Sequence, residues 1–291
     1  MKIAYFTAGT VGVGHLVRGL AIGRGLSRAG FRGEYRIFGP ELPFPAAQGL
    51  AAYEPVAVET DSSLRDRQLA QTSRLSGQLR GYSPDLLLVD MFWAPLRWFL
   101  SELPCEAWLL VRICPPHWLA GPPGMPFEPA QYARVIAVEP MPGRGAREAI
   151  APIVIRNPDE CRPPTALRER LGIPDGRPLS VVLQAGQRGE SERLQRVAGE
   201  GAVVLDLFDP RAPFPAAEWL NGADRITAGA GYNAFWEAHW LGYAERAEWL
   251  PFRRSIDDQA LRVELSRGAP APPRENGADT LARWIAEGGS P

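Results

Sequence analysis

The sequence predicts an α/β protein made of two tandem Rossmann-like domains, residues 1–155 and 156–291. Three observations carry that prediction. Short apolar runs alternate with amphipathic segments along the whole chain. Each half opens with a strand, a glycine-rich turn and a helix, first at "KIAYFT" and "GVGHLVRGL", then at "LSVVLQ" and "AGQRGESERLQRVA". Between the halves, over 151–178, the alternation relaxes into "APIVIRNPDECRPP", a linker strand with a proline stop.

The elements follow in order. "KIAYFT" reads as a buried strand, and residues 15–29 as a helix whose stripe is Leu16, Leu20, Ile22 and Leu26. "EYRIFG" and "YEPVAVE" are short strands, and residues 64–80 have helical spacing. "SPDLLLVD" is an unbroken apolar run ending at Asp90, as expected of a strand covered on both faces of a parallel sheet. "PLRWFLSEL" reads as helix, "EAWLLVRIC" and "ARVIAVE" as strands. Between those strands "PPHWLAGPPGMPFEP" (115–129) reads as a long loop without regular structure. In the second half "TALRERLG" is a helix capped by Thr165 and ended near Gly172. "AVVLDLF", "DRITAG" and "RAEWLPF" are strands; "PAAEWLNGA", "GYNAFWEAHWL" and "SIDDQALRVELS" are helices.

Composition excludes several functions. The formal net charge is −1 and no basic block occurs, which removes the electrostatic case for nucleic acid. No apolar stretch approaches the roughly 20 residues needed to span a bilayer, and "MKIAYFTAGT" does not resemble a signal peptide. The expectation is a cytoplasmic protein, with peripheral membrane contact left open. Three cysteines, Cys105, Cys114 and Cys161, form no CxxC pair and point to reduced thiols. Lys2 is the single lysine, so no Gly-Lys-Ser/Thr phosphate loop exists and a Schiff-base lysine is implausible.

The residues that suggest chemistry sit at strand ends. The turn carrying Gly9, Gly12 and Gly14 leads into a helix N-terminus, where amides and the dipole favour an anion. A tight turn that only packs is the plain alternative. His15 stands at the helix mouth, where a neutral imidazole can accept a proton; a packing histidine is the alternative. Asp90 closes "LLLVD" and can orient an imidazole, or simply cap the next helix. Further on, Gly229 and Gly231 end a strand and open a helix, and Asn233 and Glu237 share one face of it. Asp258 and Gln259 begin a later helix. Such carboxylates and amides suit hydroxyl-rich ligands, although capping by Asp257 or Asp258 explains them equally. In the 115–129 loop His117 and Trp118 are candidates for acceptor contact. Trp93, Trp236 and Trp240 are candidates for an apolar groove, with core packing the stronger expectation.

Taken together, "GVGHLVRGLAIGRGL", "PDLLLVDMF", "PIVIR", "LRERLGIPDGRPLSVVLQAGQRGE", "GAGYNAFWE" and "PFRRSIDDQALR" resemble, in this order, the GT-B nucleotide-sugar glycosyltransferases. The resemblance is to the broad group of UDP-glycosyltransferases and lipid II-forming N-acetylglucosaminyltransferases, and covers nearly the whole chain. It implies an inverting, metal-independent transfer of a sugar from a UDP- or dTDP-sugar to an acceptor hydroxyl on a small or lipid-linked molecule. The nucleotide sugar is then a co-substrate, and no other cofactor is implied. His15 matches the family's base and Asp90 its partner. Glu237 matches the ribose-holding glutamate, and Asp258 with Gln259 the pair that reads the donor sugar. Asn233 and main-chain groups at Gly229, Ala230 and Gly231 would hold the diphosphate, as would the turn at Gly186, Gln187 and Arg188. Two positions depart from plant-type members: Gly229 replaces a histidine and Ala234 a serine. The tryptophan that stacks on the base has no clear counterpart, which leaves Phe208 as its stand-in. Two rival functions share these residues: a nucleotide-sugar hydrolase of the PseG type, with water as acceptor, and a non-catalytic nucleotide-sugar binding protein. A nicotinamide oxidoreductase has only the partial glycine pattern and Glu34 behind it.

Overall fold

A computed structural model describes residues 1–9, 13–41, 53–56, 66–141, 146, 148–174, 176–267 and 274–288. Two parallel sheets organise them. The first has seven strands: β1 (Lys2–Phe6), β2 (Glu34–Pro40), β3 (Tyr53–Val56), β4 (Leu86–Asp90), β5 (Glu106–Val111), β6 (Arg134–Ala137) and β7 (Glu148–Ala149), in the order β3-β2-β1-β4-β5-β6-β7. The second has four: β8 (Ser180–Gln184), β9 (Val203–Asp206), β10 (Arg225–Gly229) and β11 (Ala247–Leu250), in the order β11-β10-β8-β9. Every strand pairing in both sheets is parallel. All five residues of β4 are buried, as its unbroken apolar run requires of a central strand.

Each sheet has one point where consecutive connections leave in opposite directions. In the first it lies between β1 and β4; in the second, between β8 and β10. Crevices at such points, beyond the carboxyl ends of the strands, are where open α/β sheets bind ligands. The loop after β1 leads into α1 (Gly14–Arg28), and the turn after β8 into α6 (Ser191–Ala198). The chain after β10 enters α7 (Tyr232–Trp240). Between α1 and α6 the chain forms α2 (Arg67–Gln71), α3 (Arg74–Tyr82), α4 (Pro116–Ala120) and α5 (Thr165–Leu171). It continues after α7 with α8 (Gln259–Arg267) and α9 (Gly277–Ala286).

Several expected elements differ. "PLRWFLSEL" forms two short 3-10 turns, Ala94–Leu96 and Leu100–Glu102, separated at Phe99 by a φ of −133° that leaves the helical region. "PAAEWLNGA" is likewise 3-10, over Ala216–Gly222. The loop at 115–129 contains α4, because Pro116 sits at the first helical position, where its missing N–H costs nothing. Thr165 is the first residue of α5 rather than its cap, which is Pro164; the other end closes at Gly172 in the left-handed region, as expected. "PIVIR" is buried but joins no sheet. Its polar backbone is satisfied by side chains instead: the Ile153 amide donates to the Tyr232 hydroxyl (2.7 Å), and Val154 exchanges two bonds with the Asn276 amide (3.2 and 2.9 Å). Asn276 also caps α9, which packs back across α1.

Candidate active site

One cleft of about 400 Å³ lies between the carboxyl ends of the two sheets. Its first wall is made by the loop after β1, the start of α1, and residues after β4 and β5. Its second wall is made by the turn after β8, the start of α7, and the segment before α8.

His15 lies in this cleft and is 6% exposed. Its Nδ1 is 2.7 Å from Asp90 Oδ2. A carboxylate can only accept, so Nδ1 carries the proton and the Nε2 lone pair faces the cleft. Asp90 is fully buried and also receives the Tyr5 hydroxyl and the Arg18 guanidinium. Despite burial, Arg18 and then His15 hold its carboxyl far below the usual range. Burial lowers the His15 pKa, against the pull of Asp90, and nearby Arg112 and Arg18 add to the lowering. The result is a neutral imidazole oriented by an ionised aspartate. The ring leaves no room beside it: a Cβ on Gly9 would overlap His15 Cδ2. Gly9 therefore serves the histidine. Gly12 lies outside the described residues, and the Gly14 carbonyl accepts a bond from Asn233 Nδ2 (2.7 Å).

Met91, directly after Asp90, has a φ of 67°, unusual for a residue with a side chain. This bend lets Met91 hold two cleft residues. Its carbonyl accepts from Trp118 Nε1 (3.1 Å), and its sulfur from the Arg112 amide (3.3 Å). Trp118 and Phe92 meet edge to face at 5.7 Å, and Phe92 meets the His15 ring at 5.1 Å. They form an apolar corner of the cleft beside the histidine.

On the second wall, α7 begins at Gly231 with no side-chain cap. The first amides of a helix have no intrahelical partners, and Gly231, Tyr232, Asn233 and Ala234 line the cleft, a setting that suits an anion. Asn233 and Glu237 both line the cleft. Glu237 is 8% exposed, and its carboxylate makes no hydrogen bond or ion pair among the described residues. Burial pushes its carboxyl up to about 7, against a smaller opposing effect of Arg156. Gly229 lines the cleft with the Phe252 ring 3.1 Å from where a Cβ would stand.

Other expected residues lie elsewhere or are already engaged. Ala230 is fully buried; its amide donates to Leu250 and its carbonyl accepts from Arg262, so no main-chain group remains for a phosphate. Asp258 does not line the cleft: its carboxylate caps the Leu261 amide (3.1 Å), the plain capping role. Gln259 does line it, but its side chain is held by the Phe252 amide (2.9 Å) and Asp257 (3.3 Å). Gly186 and Gln187 line the cleft, yet the space a Cβ would take at Gly186 is filled by the Glu190 carboxylate, itself paired with Arg254. Arg188 opens the 3-10 turn Arg188–Glu190, and its side chain lies outside the described residues. Phe208 packs half-buried against the core, outside the cleft lining, and His117 is exposed outside it. Trp93 is core, Trp236 bonds Glu139, and Trp240 bonds the Arg156 carbonyl.

Arg112 and Asp257 are cleft residues that the motifs do not reveal. They form an ion pair at 2.5 Å, and Arg112 Nη2 lies 3.4 Å from His15 Nε2. One signal for Arg112 was present: a charge inside the apolar run "LLVRIC" must have a partner if buried. Among the described residues no group of three or more His, Cys, Asp or Glu side chains is placed to hold a metal ion, and no helix is long and apolar enough to cross a membrane.

Solved glycosyltransferase structures share this architecture. Spinosyn forosaminyltransferase SpnP superposes with a TM-score of 0.60 at 19% identity, over 99% of this chain and 91% of its own. SsfS6, a Streptomyces sp. SF2575 glycosyltransferase, gives 0.57 at 14% in its thymidine diphosphate complex, over 98% and 91%. Spinosyn rhamnosyltransferase SpnG with spinosyn aglycone gives 0.56 at 15%, over 99% and 91%. The fold is GT-B. Identities this low establish the GT-B architecture and nothing finer. No family model and no curated protein matches the chain in sequence.

Proposed function

We propose that this GT-B chain is a glycosyltransferase that moves a sugar from a nucleoside diphosphate to an acceptor hydroxyl, with inversion and without a metal. The observation that carries the reading is the His15–Asp90 pair opening onto the same cleft as the uncapped start of α7 and Glu237. Residues 1–155 then supply the acceptor side and 156–291 the donor side, with α9 returning to brace the first. Thymidine diphosphate in SsfS6 and aglycone in SpnG support a dTDP-sugar donor and a small-molecule acceptor, with a UDP-sugar and a lipid-linked acceptor as the alternatives within the same reading. A cytoplasmic site of action, free or peripheral at the membrane, fits such substrates.

The step follows from the tautomer. The acceptor O–H gives its proton to His15 Nε2 as its oxygen bonds the anomeric carbon. The bond from that carbon to the diphosphate oxygen breaks on the opposite face, so configuration inverts. Asp90 stabilises the imidazolium that forms, and the free amides of α7 receive the charge gathering on the leaving diphosphate. Glu237 takes the ribose hydroxyls, with Asn233 beside the diphosphate.

The test is calorimetric binding of TDP and UDP, followed by transfer assays. Glu237→Ala should weaken nucleotide binding. His15→Ala should keep it and lose about 10²–10⁴-fold in turnover. Undiminished turnover in His15→Ala removes the base from the mechanism. Sugar release needing no acceptor would assign hydrolysis instead, and binding without any turnover would assign a carrier.

A further inference from the structure

Arg112 faces the reacting position. It is 5% exposed and lines the cleft at the end of β5. Its Nη2 lies 3.4 Å from His15 Nε2, the lone pair that an acceptor hydroxyl must reach. Its Nη1 is paired with Asp257. Its Nε is buried and has no hydrogen-bond partner among the described residues. In this arrangement a guanidinium donor occupies the base, and a donor on the same guanidinium goes unused.

We propose that Arg112 selects the acceptor: the cleft takes a flat hydroxylated ring with an anionic group, such as a carboxylate, next to the reacting hydroxyl, and this group draws Arg112 away from His15 Nε2. The proposal rests on the transferase reading, in which an acceptor hydroxyl comes to His15. Three observations carry it. A carboxylate accepts two parallel N–H bonds from a guanidinium, so it can use the idle Nε together with a terminal nitrogen. Asp257 can release Arg112 without being stranded, because Arg262 Nη2 also holds it at 2.7 Å. A flat ring has apolar faces to pack on at Phe92 and Trp118, which line the same cleft as His15 and Arg112. A neutral acceptor competes for the Arg112 donor only with an uncharged oxygen, without the gain of a charge-assisted pair. An anionic one clears the base and neutralises the cation beside it before the imidazole takes on charge. Arg112 is thus a specificity-determining residue that acts on the acceptor and, through it, on the base.

The probes are salicylate and salicylamide, which have the same ring and hydroxyl and differ in the charge of the neighbouring group. Binding to the full chain is measured by calorimetry, with TDP titrated separately into the same preparations. Salicylate should bind at least about tenfold tighter than salicylamide, as a charge-assisted pair implies. Arg112→Gln should abolish that preference, and Arg112→Lys should restore part of it. Binding of TDP should be unchanged in both variants, which also shows that their cleft is folded. Equal affinity for the two probes in the wild-type chain overturns the proposal, and so does a preference that survives in Arg112→Gln. A loss of TDP affinity in Arg112→Gln with the preference for salicylate intact overturns it too, assigning the arginine to the donor. If salicylate is selected through Arg112 while neither TDP nor UDP binds, the acceptor site stands and the donor reading falls.

Discussion

His15 is held between groups of opposite sign. Asp90 fixes its Nδ1–H, while burial, Arg112 and Arg18 resist a positive charge on the ring. Its position also depends on Gly9, whose missing side chain makes room for the imidazole. Gly9→Ala should displace the ring and lower turnover by about 10²-fold with nucleotide binding kept, since small misplacements of a base are costly. Single-turnover rates beside TDP affinities would check this, and an unchanged rate would show that the ring tolerates displacement. Glu237 has the opposite electrostatic setting, a carboxyl buried without a pairing cation. Because its folded pKa is raised, to about 7, its contribution to stability is complete below the ordinary carboxylate range and lost as pH rises through about 7. The wild-type chain should therefore lose on the order of 3 kcal/mol relative to Glu237→Gln between about pH 4 and about pH 8. Denaturant unfolding of both proteins across that range measures the difference; parallel curves would mean that Glu237 is ionised when folded.

At the scale of elements, the bracing of α1 by α9 stands out. Gly25 on α1 lies where a Cβ would overlap the Ala278 carbonyl, and Gly277 where one would overlap the Ala151 carbonyl. Two glycines thus let the last helix meet both the first helix and the connecting segment. Arg28 ties the contact at its rim, bonding Asp279 at 2.7 Å and Glu160 at 3.1 Å. Gly25→Ala should cost about 1–3 kcal/mol, as overpacking against backbone does, and lower the melting temperature by several degrees. A neutral or raised melting temperature would mean that α9 shifts freely. The same docking sets the mouth of α1 and with it His15, so turnover should fall in parallel.

Across the whole molecule, the two sheets are joined by buried polar contacts. Glu139, after β6, is 1% exposed and receives both Arg262 Nε (2.7 Å) and Nη2 (2.8 Å) from α8. It also accepts from Trp236 Nε1 (2.6 Å) on α7 and from the Ile113 amide (2.7 Å). The Tyr232 hydroxyl donates to the Val138 carbonyl, and Asn233 bonds Gly14. These bonds bring the two switch points together to form one cleft. Glu139→Ala leaves Arg262 with Asp257 as its one remaining carboxylate among the described residues and strips the bonds from Trp236 and the Ile113 amide, so it should cost about 3 kcal/mol. Scanning calorimetry should then show the halves melting in separate steps; a single transition at the wild-type temperature would mean the pair contributes no coupling.

The parallel sheets, the glycine turns and the residues at strand ends were legible in the sequence because they depend on local pattern. "LLLVD" reads as a strand covered on both faces, and its last residue then stands at the crevice end of the sheet, so the place of Asp90 behind His15 was legible. His15, Asn233 and Glu237 were found in the same way, as residues of strand-to-helix turns and of the first turns beyond them. Short 3-10 turns such as Ala216–Gly222 were not, since apolar spacing does not separate them from α-helix. The partners were hidden as well. Asp257 and Asp258 are adjacent in sequence and equally acidic, and only packing turns the first toward Arg112 and leaves the second as a cap. Glu190 in the space beside Gly186, and Arg112 beside His15, join elements far apart in the chain. The sequence alone determined most of the strands and strand-to-helix turns, "PIVIR" excepted, and which residues would stand at their ends, because those follow from period and backbone freedom. Only the tertiary structure decided which charges meet in the cleft, because burial makes each one find a partner and the partner is chosen by proximity in space.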